Sequence, residues 1–394
     1  MKRKNGGILM LHNRTDVSFL FVIAFLVSFG IIMVFSSSYY AYDVSGGSTP
    51  LWVKQAVFAL LGFVAMLLVS YVRIELIKKF VPMLYVMAML LLVLVLLVGK
   101  TINGAKRWLS VMGINIQPSE FAKVVLILTL AVFLAAFTAY LSKFRVLALF
   151  LVLVMLPAYL IGRENLSGAL IILAIAGGML FAAHPKIIQV VGAGILFLLL
   201  GAGAYSTRSY RGSRMTTFLE GPWSDPLGKG RQTIQSLYAI GSGGVFGIGL
   251  GQGIQKMGYI SEAHNDIIFA VICEELGLVG GFIVLLLYGL LIYRCFVIAR
   301  NAMTKLDLLL VAGVATHIAT QVVINIAVAT NTMPTTGIPL PFISYGGSSL
   351  LIFLVEMGLV LNVARHTDFL KERERRRRRA AMGLTGGEAY GQAY

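Results

Sequence analysis

The chain reads as an all-α polytopic membrane protein, with about ten transmembrane helices and a long extracytoplasmic loop between the seventh and eighth. Three observations carry this. Of its 394 residues, 58% are hydrophobic and only 13% charged, and the mean hydropathy is +0.85. A soluble chain of this size could not keep so much apolar surface from water. Apolar runs of about 20 residues recur, the length a helix needs to cross roughly 30 Å of hydrocarbon. Turn and charge signals separate them, as in SGGSTP at 45–50, NGAKR at 103–107 and HPK at 184–186.

The runs fall at 17–38, 55–72, 80–98, 119–137, 144–161, 166–183, 187–205, 267–293, 306–329 and 349–365. The first is too long for the apolar core of a cleaved signal and lacks a clear small-residue cleavage site, so it reads as a first span doubling as an uncleaved signal. Only Gly162 to Asn165 separate the fifth and sixth, which predicts a tight helical hairpin. The segment at 206–266 is too long for a plain connector, and loops of that length commonly carry function. With the N-terminus inside, most of the 33 Lys and Arg residues fall on the inner side, which predicts both termini in the cytoplasm. Three parts follow: an N-terminal segment at 1–16, a transmembrane domain at 17–365 and a basic tail at 366–394 expected to be disordered. Its KERERRRRR run at 371–379 suits a topology anchor on anionic lipid, with a partner-binding tail as the alternative.

The stretch from Gly258 to Gly281 carries Glu262, His264, Asp266, Glu274 and Glu275 into an otherwise apolar run. Ionisable groups at the hydrocarbon boundary are costly and usually mark a pathway or a reaction site. Asp266 is the candidate general base: burial would raise its pKa, neighbouring cations would lower it, and either suits proton abstraction from a sugar hydroxyl. A helix N-cap is its structural alternative. Glu274 and Glu275, two turns deeper, either take part or bond neighbouring helices.

Basic residues punctuate the outer side. Lys106 and Arg107 precede Trp108, and Arg208, Arg211 and Arg214 follow the seventh run. Such clusters bind phosphate oxygens, Arg in a bidentate fork and Lys as a point charge; headgroup contact by snorkelling is the alternative for any one of them. Together they point to an anionic ligand held in the membrane. Glu120 and Lys123 stand three apart after Pro118-Ser119, able to pair on one helix face. They are expected to line a polar cavity open to the outside, or else to neutralise each other in the bundle.

Glycine-rich AIGSGGVFGIGLGQG at 239–253 fits neither the dinucleotide fingerprint nor the P-loop spacing, and GPWSDPLGKG at 221–230 misses the latter too. Neither a nucleotide cofactor nor a nucleic-acid partner is expected. The glycines suit close packing or re-entrant backbone, and TTGIPLPFISYGGSS at 335–349 a structured cap or groove. Cys273 and Cys295 share one apolar segment and are expected to be buried free thiols.

In GAKRWL at 104–109, QPSEFAK at 117–123, QSLYAIGSGGVFGIGLGQG at 235–253, EAHNDIIFAVICEELG at 262–277 and PLPFISYGGSS at 339–349, the chain resembles the SEDS family of shape, elongation, division and sporulation proteins. WSDPLGKG at 223–230, YISEAHND and the Arg-rich tail resemble the FtsW/SpoVE branch more than RodA. Two departures stand out: Arg163 to Ser167, where many relatives carry a Pro-Asp-Leu-Gly-like turn, and Asn265, where relatives often have Thr. The resemblance implies a peptidoglycan glycosyltransferase that polymerises lipid II at the outer face of the cytoplasmic membrane, at the division septum. The family's essential Asp maps onto Asp266. Substrate contacts would come from Lys106, Arg107, Trp108, Glu120, Lys123, Arg208, Arg211, Arg214 and His264, with a divalent cation (Mg²⁺ or Mn²⁺) as a possible aid. The implied partners are lipid II, the undecaprenyl-pyrophosphate-linked glycan, a class B penicillin-binding protein, other division proteins and membrane lipid. A lipid II flippase and a non-catalytic division scaffold are the rival readings.

Overall fold

The computed structural model describes residues 16–45, 49–102, 105–111, 114–141, 143–183, 209–228, 230–260 and 263–381. Helices α1 (Val17–Ser45), α2 (Leu51–Tyr71) and α3 (Ile74–Val98) come first, followed by strands β1 (Lys100–Ile102), β2 (Ala105–Val111) and β3 (Ile114–Ile116). Then come α4 (Pro118–Phe137), α5 (Phe144–Gly162) and α6 (Leu166–Ala183). After these lie the short helices α7 (Ser209–Leu219) and α8 (Arg231–Ser242), and finally α9 (Ile268–Asn301), α10 (Lys305–Ala329) and α11 (Gly347–Ala381). Among the described residues, nine helices are long and apolar enough to cross a membrane. The expected span at 187–205 lies outside the described residues.

Local chemistry sets several of these boundaries. Pro118 opens α4 at a position where its missing N–H costs nothing. Asn165 caps α6, its Oδ1 accepting from Gly168 N at 3.1 Å, and Thr304 Oγ1 caps α10 by accepting from Asp307 N at 3.1 Å. The broadest helix contact joins α2 and α11. A Cβ on Gly358 would stand 2.6 Å from the Met66 carbonyl oxygen, so the two backbones touch there. Helices α4, α10 and α11 are the most enclosed spans.

Four expectations need correction. The outer segment between the third and fourth spans is an antiparallel three-stranded sheet in the order β1-β2-β3, not a plain connector. The 206–266 segment contains two helices, α7 and α8. Helix α9 runs eight residues beyond the expected end at 293, because its exit turn carries Arg294 and Arg300 out of the apolar region. Helix α11 continues through the basic run to Ala381, where a disordered tail was expected; residues 382–394 lie outside the described set.

The bundle has two distinct ends. At one, Arg294 Nη2 pairs with Asp16 at 2.6 Å, His366 Nδ1 meets Asp307 Oδ2 at 2.9 Å, and Arg365 covers the Tyr71 ring at 3.7 Å. Asp16 and His366 thus bring both ends of the transmembrane domain to one side. Burial raises the Asp16 pKa, but bonds from Arg294, Phe19 N and Ser18 outweigh it and hold the carboxyl below 3.8. The sheet, the α5–α6 turn, α7 and the loop at 331–346 gather at the opposite end.

Candidate active site

Three segments meet at that second end. Strand alternation sends Arg107 to one face of β2, and Lys106 and Trp108 to the other. Glu164, in the α5–α6 turn, ties the strand down: its Oε2 accepts from Lys106 N at 3.0 Å and its carbonyl oxygen from Arg107 Nε at 2.9 Å. Asp266 sits in the turn that leads into α9, partly exposed. The α10–α11 loop crosses both. A point one Cβ bond out from Gly337 lies 3.7 Å from Asp266 Oδ2 and 3.9 Å from Arg107 Nη1. The carboxylate and guanidinium therefore converge beneath Gly337, whose φ of +70° is one that side-chain-bearing residues rarely adopt.

Backbone bonds clamp this loop to the Asp266 turn. Ser344 Oγ donates to Asn265 O at 2.5 Å and Tyr345 N donates to His264 O at 2.8 Å. The His264 and Tyr345 rings meet edge-on with centroids 5.7 Å apart. Burial pushes the Tyr345 phenol above its usual 10.0, so it stays protonated at neutral pH. Arg214 in α7 donates through Nη1 to Thr335 O at 2.8 Å, two residues from Gly337. A cleft bordered by Lys106, Arg107, Ser119 and Glu164 at its polar rim descends between the apolar Leu92, Val95, Leu96 and Leu160 of α3 and α5.

Of the predicted site residues, Arg107, Arg214, Asp266 and His264 thus gather around the 335–345 loop, with Lys106 and Trp108 on the adjoining strand. Arg208 lies outside the described residues, and the Arg211 side chain likewise. Glu120 and Lys123 form their ion pair at 2.9 Å, but both are buried inside the bundle and do not line an open outer cavity. Apolar packing from α10 seals them, and Lys123 Nζ instead donates inward to Gln321 Oε1 at 3.2 Å.

That contact begins a buried polar chain. Gln321 Nε2 donates to Pro339 O at 3.1 Å, and a carbonyl can only accept, so the amide orientation is fixed. Its Oε1 then faces His317 Nε2 at 3.1 Å, which must carry a hydrogen. His317 Nδ1 lies 2.8 and 3.0 Å from the two Glu356 oxygens, so ring and carboxyl share one proton. Glu274 and Glu275 have a separate task. Glu274 Oε1 accepts from Ile254 N and Gln255 N at 2.8 and 3.1 Å. Glu275 accepts from Gly251 N at 3.0 Å, from Ser36 Oγ at 2.7 Å and from Lys256 Nζ at 2.5 Å. They bind the glycine-rich segment onto α9 and make no contact with the Asp266 cluster. Cys273 and Cys295 are buried and free.

Sequence reasoning missed Glu164, Gln321, Asn325, Gly337, Ser344 and Glu356. Glu356 stood as a lone carboxylate in an apolar run and could have been singled out by the same cost argument as Asp266. The others are uncharged or lie in turns, and carry no such signal.

A family model described as "Cell cycle protein", spanning FtsW, RodA and SpoVE, matches residues 17–369. Stage V sporulation protein E of Bacillus subtilis (strain 168) is 38% identical over 367 residues, 90% of this chain and 98% of the relative. A probable peptidoglycan glycosyltransferase FtsW of Geobacter sp. (strain M18) is also 38% identical, over 89% of this chain and 96% of the relative. Among solved structures, a chain of a peptidoglycan synthase complex that coordinates polymerization and crosslinking aligns with a TM-score of 0.77 at 31% identity, covering 90% of this chain and 99% of that one. The rod shape determining protein RodA of Thermus thermophilus aligns at 0.67 and 30% identity, covering 89% and 97%.

Proposed function

The chain belongs to the cell cycle protein family of FtsW, RodA and SpoVE, and from that premise we infer that it is a peptidoglycan glycosyltransferase of the multi-pass membrane type. The single observation that carries the chemistry is the approach of Asp266 and Arg107 to one point beneath Gly337, beside a cleft with a cationic rim and an apolar floor. Such a cleft suits a lipid-linked diphosphate: the rim for charge, the floor for the polyprenyl chain.

In this reading the donor is the growing glycan on undecaprenyl pyrophosphate and the acceptor is lipid II. Asp266 takes the proton from the acceptor GlcNAc 4-hydroxyl as its oxygen attacks the anomeric carbon of the donor. A glycosidic C–O bond forms, the bond from that carbon to the pyrophosphate oxygen breaks, and the diphosphate departs with its charge. Arg107, and Arg214 across the loop, stabilise that leaving group. Arg208 and Arg211 belong to the same basic segment as Arg214 and extend this role. Lys123, engaged by Glu120 and Gln321, supports the site from below and does not grip phosphate.

Among the described residues no group of three or more potential metal ligands occurs, and Asp266 has a guanidinium at its side. These residues do not fit a resident metal. A divalent cation would enter with the substrate's own phosphates, and activity with and without Mg²⁺ or Mn²⁺ tests for it. The site lies at the opposite end from Asp16 and His366, so cytoplasmic termini and an extracytoplasmic reaction require each other. A class B penicillin-binding protein as partner and the division septum as location fit the FtsW and SpoVE relatives.

The test is glycan formation from lipid II by purified protein with its cognate transpeptidase. Asp266→Asn is expected to lower the rate at least about 100-fold, the usual contribution of a general base, while lipid II binding persists. Wild-type polymerisation by that variant would reject the assignment. Movement of labelled lipid II between leaflets with no glycan formed would favour a flippase.

A further inference from the structure

Asn325 is fully buried on α10, one face of which carries His317, Gln321 and Asn325 at helical spacing. Its Nδ2 donates to Asp266 O and to Ile338 O, each at 2.8 Å. Both partners are carbonyls, so the amide has one possible orientation and both its hydrogens are used. One of those carbonyls belongs to the residue proposed as base. The other adjoins Gly337, which overlies the Asp266 and Arg107 side chains. The bonds from Ser344 and Tyr345 join loop to loop. Asn325, with Gln321 one turn below it, joins the loops to a membrane-spanning helix.

We propose that Asn325 is a positioning residue for the transfer reaction: it sets the distance between the Asp266 carboxylate and the 337–339 segment by holding their two backbones on α10. This rests on Asp266 being the base. Reactive groups on loops need such support from a rigid element, and a displacement near 1 Å can cost about 100-fold in rate. A carbonyl released from Asn325 lets the Asp266 turn drift away from Arg107 with no change to the substrate's binding groups.

The test compares variants of the full chain in the lipid II polymerisation assay with the cognate transpeptidase. Asn325→Ala is expected to lower kcat about 10- to 100-fold and change KM less than about threefold. Asn325→Ser, whose hydroxyl can serve one carbonyl, should recover part of the loss and stands in should the alanine variant fail to extract as folded protein. In an Asp266→Glu background, where the carboxylate is already displaced, Asn325→Ala should cost less than about threefold, because residues acting as a unit are not additive. Unchanged kcat in Asn325→Ala or Asn325→Ser, or the same fold-loss in both backgrounds, overturns the proposal. Wild-type turnover by Asp266→Asn instead removes the base assignment, and this inference falls with it.

Discussion

At Arg107 the guanidinium is divided between two partners: Nε donates to the Glu164 carbonyl at 2.9 Å, which turns Nη1 toward the point it shares with Asp266. A lysine has one ammonium on a flexible stem and cannot serve both positions. Arg107→Lys is therefore expected to lower polymerisation about tenfold or more, the cost of one charge-assisted hydrogen bond, with the loss read in initial glycan-forming rates. Asp266 and Arg107 were both legible in the sequence, because a charge beside an apolar run costs enough to need a reason. Asn325 was not. A neutral amide in an apolar helix gives no comparable signal, and its importance comes from two carbonyls 59 and 13 residues away in the chain.

Helix α9 is interrupted at Gly277, where φ is +69°. The break lets Gly247 and its neighbours lie against the helix: Ile248 N and Gly249 N donate to the carbonyls of Glu274 and Glu275 at 3.1 and 3.0 Å. Gly277→Ala would force a side chain into a left-handed conformation, costing about 1–2 kcal/mol, and its Cβ would overlap the Val245 carbonyl oxygen. A lower thermal midpoint in detergent is the expected result. Glu356 on α11 gives a second case. Glu356→Ala removes the partner that shares a proton with His317 in a fully buried site and should cost about 3–5 kcal/mol. Glu356→Gln, which can donate an amide hydrogen to the neutral ring, should cost clearly less in the same measurement. Helix positions were readable from apolar run length, whereas the sheet and the break in α9 were not. Strands of three residues lack a detectable period, and a glycine among many does not reveal its dihedral angle.

The termini and the reaction site lie at opposite ends of one bundle, and this makes sidedness testable. Single cysteines placed at exposed Trp223 and Lys371, in a background lacking Cys273 and Cys295, should react with a membrane-impermeant maleimide from outside the cell at Trp223 only. Labelling at Lys371 from outside would invert the orientation and place the chemistry in the cytosol. A further consequence follows from how α1 and α9 are fastened together. Arg294 holds Asp16 at one level, and Lys256 with Glu275 holds Ser36 at another. Twenty helical residues separate Asp16 from Ser36, about 30 Å along the axis, close to the hydrocarbon thickness of an ordinary bilayer. Both polar clasps therefore meet water only when the surrounding lipid matches that span. In vesicles of much longer acyl chains one clasp must be drawn into oil or the bilayer thinned around it, so the protein should act as a caliper, losing thermal stability as chain length rises past the match.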